Sequence, residues 1–377
     1  MSGNPDFKGA RTYARGTAAA AVALLELAGA CQDQEAGPLD PQAPPASEAS
    51  VPGGTPDGWD LPLSGEGVLT RTFPGRPCMA PPHREFDFWV GEWNVFNSDE
   101  DQIGTNVVTK ELDGCLVQEH WTASNGNRGR SLNVYDRETG MWHQDWASNI
   151  PQGFTGRLRT SGGLDDGTMV LTGQRPATGG FTWLDRWTWT ETPEGSVIQT
   201  GRADVPEFGL TLVDFTATYV PGTVTPANER PTPFCQAGEI GGATRRADFL
   251  VGEWSVSGQN GVALGSSTVE TDLRDCLFVE HFESRGGLEG TAFTYYDLWV
   301  ERWFRIWVDS EGERLVLAGD FDGSSLVLEG TEGTASGDVD VRLSWTPANG
   351  DLIQKWEVSR DGGASWKETA TLVYGGS

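Results

Sequence analysis

The sequence predicts an all-β protein made of two tandem antiparallel up-and-down β-barrels. Three observations carry that expectation. One long motif recurs once, in register, in the second half of the chain. Short runs rich in Val, Thr, Trp, Tyr and Phe alternate apolar with polar residues, and helical periodicity is scarce. Gly-containing turn signals separate those runs at close intervals. The chain has 377 residues, of which 37% are apolar, so it is too long for one ordinary domain and can supply two cores.

The repeat sets the domain plan. Phe86-Asp-Phe-Trp-Val-Gly-Glu-Trp93 returns as Ala247-Asp-Phe-Leu-Val-Gly-Glu-Trp254, an offset of 161 residues from Phe86 to Ala247. The same offset carries Cys115 to Cys276, Glu119-His120 to Glu280-His281, and Tyr135-Asp136 to Tyr296-Asp297. It also carries Trp142 and Trp146 to Trp303 and Trp307. Further on the offset shrinks slightly: Trp189 matches Trp345, Gln199 matches Gln354 and Tyr219 matches Tyr374. Units of this length are far longer than solenoid repeats, so they are expected to be whole domains, at 76–221 and 232–377 with a Pro-rich linker at 222–231.

Within unit one, Phe86–Trp93 is expected to open with a short helical turn and continue as a strand. Alternating runs follow at Asn106–Leu112, Cys115–Thr122, Arg130–Tyr135, Met141–Ala147, Met169–Gly173, Phe181–Thr190, Ser196–Arg202 and Thr211–Tyr219. Asp113-Gly114, Asn125-Gly126, Asp166-Gly167 and Glu194-Gly195 mark hairpin turns between them. Hairpins in sequence order make a meander. Closing it removes its exposed edges and gives a barrel of roughly 8–10 strands. Ser359–Trp366 resembles an Asp-box hairpin. It occurs once, so it is read as a local turn and not as a sign of a propeller.

The N-terminal stretch reads as an export signal. Lys8, Arg11 and Arg15 precede an apolar run from Thr17 that ends in small residues, and that run is too short for a stable transmembrane helix. Its end, Leu27-Ala-Gly-Ala-Cys31, resembles a bacterial lipoprotein lipobox, which implies that Cys31 becomes the lipidated first residue of the mature chain. Ala28 stands where that pattern usually has Leu, so a plain signal peptide remains an alternative. Residues 32–75, rich in Pro, Gly, Ala and acidic residues, are expected to form a disordered tether.

Five cysteines fit this plan. Cys78 and Cys115 fall in unit one and Cys235 and Cys276 at corresponding places in unit two, so one disulfide per unit leaves Cys31 for lipidation. Four buried free thiols are the alternative. The formal charge of −27 argues against nucleic acid and against adsorption to anionic lipid. The expected localisation is the periplasm or cell envelope, with membrane contact only through the N-terminal lipid.

The Gly91-Glu-Trp93 and Gly252-Glu-Trp254 starts are similar to the opening strand of calycin-type barrels, which include lipocalins, fatty-acid-binding proteins and nitrobindins. The wider pattern, Phe86–Trp93, Gly114–Trp121, Tyr135-Asp136 and Trp142–Trp146, resembles an uncharacterised bacterial family of calycin-like domains. The resemblance implies a barrel with a lumen and no particular reaction. Nitrobindins bind haem through a histidine. The four histidines here, His83, His120, His143 and His281, all lie outside the C-terminal strands, so haem is not carried over and no cofactor is expected.

Strand alternation sorts the candidate ligand-binding residues. Trp142, Gln144 and Trp146 share one face, matched in unit two by Trp303, Arg305 and Trp307. Glu119 shares a face with Cys115, Val117 and Trp121, and Glu280 matches it. Turned inward, these become buried carboxylates near Asn133, Tyr135 and Gln144, with Arg186 and Arg342 as possible partners. A Gln or Arg between two inward tryptophans suits a ligand contact, and a packed core with one satisfied polar group explains it equally. His120 and His281 lie on the opposite face, one per unit, without metal-ligand spacing. No nucleophile elbow, P-loop or dinucleotide fingerprint occurs. Three functions remain open at this stage: binding of a small apolar or amphipathic molecule in a lumen, catalysis with Glu119 as general acid or base in barrel 1, and a structural role with filled barrels.

Overall fold

The computed structural model describes residues 77–150, 156–177, 181–224, 235, 242–332 and 338–376. The leader at 1–31 with Cys31, the stretch 32–75 and residues 225–231 of the linker lie outside the described residues.

Two closed antiparallel barrels of ten strands each make up the fold. Barrel 1 runs β1 (Gly91–Phe96), β2 (Gln102–Glu111), β3 (Leu116–Ala123), β4 (Arg128–Asp136), β5 (Met141–Ser148), β6 (Arg157–Asp165), β7 (Thr168–Ala177), β8 (Phe181–Glu191), β9 (Val197–Val205) and β10 (Leu210–Pro221). Each strand pairs with the next, and β1 closes on β10 with Val95 opposite Tyr219. Barrel 2 repeats the plan with β11 (Gly252–Gly258), β12 (Ala263–Asp272), β13 (Leu277–Ser284), β14 (Glu289–Asp297) and β15 (Arg302–Asp309). It continues with β16 (Arg314–Asp322), β17 (Ser325–Glu332), β18 (Val339–Ala348), β19 (Asp351–Ser359) and β20 (Lys367–Gly376), and β11 closes on β20. Ten strands are the upper end of the expected count. One strand, β6, went unread because Arg157-Leu-Arg-Thr-Ser-Gly-Gly-Leu-Asp165 lacks a run of β-branched or aromatic residues.

A ten-stranded barrel is wider than an eight-stranded one, so its interior needs large side chains. The tryptophans meet that need. In barrel 1 the Phe86-Asp-Phe-Trp89 segment forms a short 3-10 turn, Asp87–Trp89, that lays Phe86 and Trp89 across one end of the lumen. Both are fully buried, stacked at 4.9 Å, and Phe86 meets Trp142 and Trp189 edge-on. Trp93 Nε1 donates to the Trp89 carbonyl at 2.9 Å, tying the plug to β1. In barrel 2 the smaller Ala247 and Leu250 hold these places, and Trp254 Nε1 donates to the Leu250 carbonyl.

Both disulfides are present, Cys78–Cys115 and Cys235–Cys276. The first ties the 3-10 segment before the plug to the β2–β3 connection. The Ser359–Trp366 turn joins β19 to β20, where Asp361 accepts from the Ser359 hydroxyl and the Ser365 backbone amide, each at 2.8 Å.

The barrels pack side by side on corresponding faces. Outward side chains of β3 to β5, among them Leu116, Leu132 and Val134, form one core with Leu277, Phe293, Tyr295 and Ile306 of β13 to β15. Polar contacts frame this core. Arg314 donates twice to Asp145 Oδ2, at 3.0 and 2.7 Å, and Arg157 donates to the Cys276 carbonyl at 3.0 Å. Trp183 meets Trp299 edge-on at 4.9 Å. The plug end of each barrel lies beside the far rim of the other. At the β15–β16 turn Gly312 takes φ +81, and a Cβ there would stand 3.0 Å from Cys78 Sγ.

Candidate functional site

The lumen of barrel 1 is hollow beyond the plug. A cavity of about 290 Å³ lies there, walled by Trp121, Trp146, Trp187 and Phe215, with Glu119, Gln144, Gln199 and Tyr219 at its inner end. The corresponding space in barrel 2, beside Glu280 and Arg305, is about 10 Å³, room for about one water molecule and no larger ligand.

Glu119 is 3% exposed and is held in place by its neighbours across the sheet. Asn106 Nδ2, on β2, donates to Glu119 Oε1 at 2.9 Å, and Ser131 Oγ, on β4, donates to Oε2 at 2.8 Å. Asn133 fixes that serine by donating to its Oγ at 2.9 Å, and also donates to the Val117 carbonyl. Tyr219 donates to Gln199 Oε1 at 2.6 Å. Both donors to Glu119 are neutral. Burial pushes the carboxyl up to about 7 from the ordinary 4.5, and the two hydrogen bonds only partly oppose this. Tyr219 is raised well above its ordinary range, first by burial and then by the nearby carboxylate, so it stays a donor.

The raised value fixes a stability profile. Between pH 4.5 and about 7 the folded protein keeps a proton that the unfolded chain releases. The contribution of Glu119 is therefore fully present below pH 4.5 and lost as pH rises through 7. That gap corresponds to about 3 kcal/mol at most. Glu119→Gln removes the titration and can use the unpartnered Asn106 Oδ1 as an acceptor. Urea unfolding at pH 5 and pH 8 is expected to show the variant gaining on wild type by up to about 3 kcal/mol across that interval. Parallel pH profiles would contradict it.

In barrel 2 the matching carboxylate has a built-in cation. Arg305 stands where barrel 1 has Gln144. It pairs with Glu280 and donates to Thr294 Oγ1 at 3.1 Å, and Ser267 Oγ donates to Glu280 at 2.7 Å. The guanidinium lies over the Trp345 ring, 4.9 Å from its centre. By strand register the row Trp187, Gly201, Phe215 becomes Leu343, Trp356, Ala370, which moves the large ring to the middle strand, and Ala217 becomes Leu372, which adds volume to that lumen. Gly201 in barrel 1 leaves room for Trp187 and Phe215, since a Cβ there would stand 2.4 and 2.3 Å from their rings.

The structure divides the sequence-predicted residues. Glu119, Gln144 and Trp146 line the cavity. Asn133 lies behind Glu119 and positions its partner. Trp142 and Tyr135 belong to the closed end: Trp142 Nε1 donates to Glu85 at 3.2 Å, and Tyr135 packs against His83 and Trp142. Trp303 packs with Phe278 and Phe321, and Trp307 with Phe282, in the filled lumen of barrel 2. The expectation for Arg186 is corrected. It is exposed, because β8 turns Trp183, Asp185, Trp187 and Trp189 inward and leaves the intervening residues outside. Arg342 likewise faces out and pairs with Glu357, while the arginine that reaches Glu280 is Arg305.

Trp187, Gln199, Phe215, Tyr219 and Asn106 were missed as cavity or carboxylate neighbours. The alternation of tryptophans in β8 carried a signal for Trp187; the others depend on barrel closure. His120 was read alone in its unit. Its pKa is lowered to about 4, mainly by burial, with Arg130 and then His281 of the other barrel among the further causes. Among the described residues no group of three or more His, Cys, Asp or Glu could hold a metal ion.

No protein-family model matches the chain, and no curated protein matches it. Among solved structures, a protein of unknown function from the DUF3598 family of Nostoc punctiforme is similar at 11% identity. The alignment covers 78% of this chain and 98% of that one with a TM-score of 0.18. A bifunctional GH43-CE protein of Bacteroides eggerthii aligns at 10% identity over 74% of this chain and 52% of that one, with a TM-score of 0.11. Likenesses this weak carry no argument, and the fold rests on the barrels' own topology.

Proposed function

We propose that the protein is an exported cell-envelope binding protein in which barrel 1 takes a small apolar or amphipathic molecule into its lumen and barrel 2 is structural. The contrast between a cavity of about 290 Å³ and one of about 10 Å³, in two copies of one domain, carries this reading. A cavity of about 150 Å³ suffices for benzene, so the barrel 1 lumen suits a molecule of one or two rings. The two disulfides are compatible with an oxidising compartment, as export requires. Among the described residues no helix is long and apolar enough to cross a membrane. In this reading the protein meets the membrane through a lipid on Cys31, which the lipobox-like Leu27–Cys31 supports. Cys31→Ser is expected to move the protein from the detergent phase to the aqueous phase in Triton X-114 partitioning.

Calorimetric titration with indole tests the lumen. Wild type is expected to bind one equivalent per chain. Gln144→Arg, which places in barrel 1 the side chain that barrel 2 already accommodates, is expected to abolish binding while keeping the fold. No binding to wild type, or equal binding to both, would overturn the reading. A carboxyl held near pH 7 also suits general acid–base work. Catalysis would show as turnover of a bound compound that Glu119→Gln removes.

A further inference from the structure

We infer that the ligand of barrel 1 is a small organic cation, an ammonium or guanidinium group on a compact aromatic or apolar body, with its charged head against Glu119. This rests on barrel 1 being a ligand-binding barrel and names what it binds.

The duplication supplies an internal comparison. Glu119 and Glu280 hold the same register, each opposite the preceding strand's Val108 or Val269. Each accepts a hydrogen bond from that strand, from Asn106 in barrel 1 and Ser267 in barrel 2. The charge balance differs. Arg305, 5% exposed, neutralises Glu280 from within the fold. Gln144 occupies its place in barrel 1 and carries no charge. From the strands around Glu119, β2 presents Asn106, β4 Ser131, β5 Gln144, β9 Gln199 and β10 Tyr219, none of them cationic. Only Glu119 and Tyr219 titrate among the residues lining the cavity. A buried carboxylate open to a cavity and without a countercharge attracts one from whatever fills the cavity.

The walls favour the same class. Arg305 lies over the Trp345 and Trp307 rings, 4.9 and 5.8 Å from their centres. Trp146, the counterpart of Trp307, faces the barrel 1 cavity, joined by Trp121, Trp187 and Phe215. Aromatic faces around a cation add to its attraction where water is excluded. Gly129 seats Trp146, since a Cβ there would stand 2.0 Å from the ring, and Gly290 seats Trp307 in the same way at 2.2 Å. The ligand thus supplies from outside what Arg305 supplies within barrel 2.

Three probes of one size and different charge test this: 2-phenylethylamine, 2-phenylethanol and phenylacetate, titrated calorimetrically into the full-length protein at pH 8. The amine is expected to bind at least tenfold more tightly than the alcohol, with phenylacetate weakest. Glu119→Gln is expected to remove the amine's advantage over the alcohol. In wild type that advantage is expected to fall at least tenfold between pH 8 and pH 5 as the carboxyl takes up its proton, a readout that needs no variant. An alcohol that binds as well as the amine, or an advantage that survives at pH 5, would overturn the inference while leaving the lumen reading intact. Failure of indole and all three probes would overturn both.

Discussion

Glu280→Gln is expected to destabilise the protein by about 3–5 kcal/mol, because it leaves the Arg305 guanidinium buried without its carboxylate. Glu280 and Arg305 are 4% and 5% exposed, and the other partner within reach of the guanidinium is the neutral Thr294 hydroxyl. The lumen of barrel 2 has room for about one water molecule, far short of a hydration shell for the freed charge. Urea unfolding at pH 7 measures the loss, and the double variant Glu280→Gln with Arg305→Met is expected to recover most of it, since it leaves no buried charge, keeps similar volume, and retains a side-chain oxygen at position 280 to accept from Ser267. The same change in barrel 1, Glu119→Gln, is expected to act in the opposite direction above pH 7. A loss below about 1 kcal/mol at Glu280 would mean that the pair is not the charge balance of this lumen.

Trp89→Ala is the second large effect, a loss of about 3–5 kcal/mol. Trp89 is fully buried between Phe86, Trp189 and Tyr219 and closes the end of the barrel below the cavity. Removing the indole leaves a hole bounded by rings that are fixed by each other and by the β-strands, so the site collapses little. Its carbonyl still accepts from Trp93, so the cost measures packing and not a lost hydrogen bond. Trp89→Leu, which copies Leu250 of barrel 2, is expected to cost less than half as much, measured by the shift in urea midpoint. Equal losses for the two would show that the indole's shape, and not the volume it fills, sets the cost.

Much of the fold was legible because duplication exposes itself. The in-register repeat gave two units, and strand alternation put Gln144 and Trp146 on an inward face and Glu119 on one face with Cys115, Val117 and Trp121, whose direction it left open. Two kinds of information stayed hidden. Local composition failed at β6, where Arg157 is a buried strand residue that donates to the Ser148 and Gly156 carbonyls at 2.7 Å and to Cys276 of the other barrel. No periodicity marks such a residue. Closure and docking failed as well, because they join residues that are remote in sequence: Tyr219 reaches Gln199 and the neighbourhood of Glu119, and the two units share a core along β3 to β5 and β13 to β15. Arg186 was read as a possible partner of Glu119. The flanking inward tryptophans, read strictly, would have sent it outside. The differences between the units carried the most information about the site. Gln144 against Arg305 and Ala217 against Leu372 separate a hollow barrel from a filled one.

The most direct test of that separation is the crystal structure of the full-length protein soaked with indole. Electron density for one indole is expected in barrel 1, between Trp146, Phe215 and the Glu119 carboxyl, with the lumen of barrel 2 occupied by its own Arg305, Trp356 and Leu372. A barrel 1 lumen filled by its own side chains, or indole in both barrels, would contradict the account.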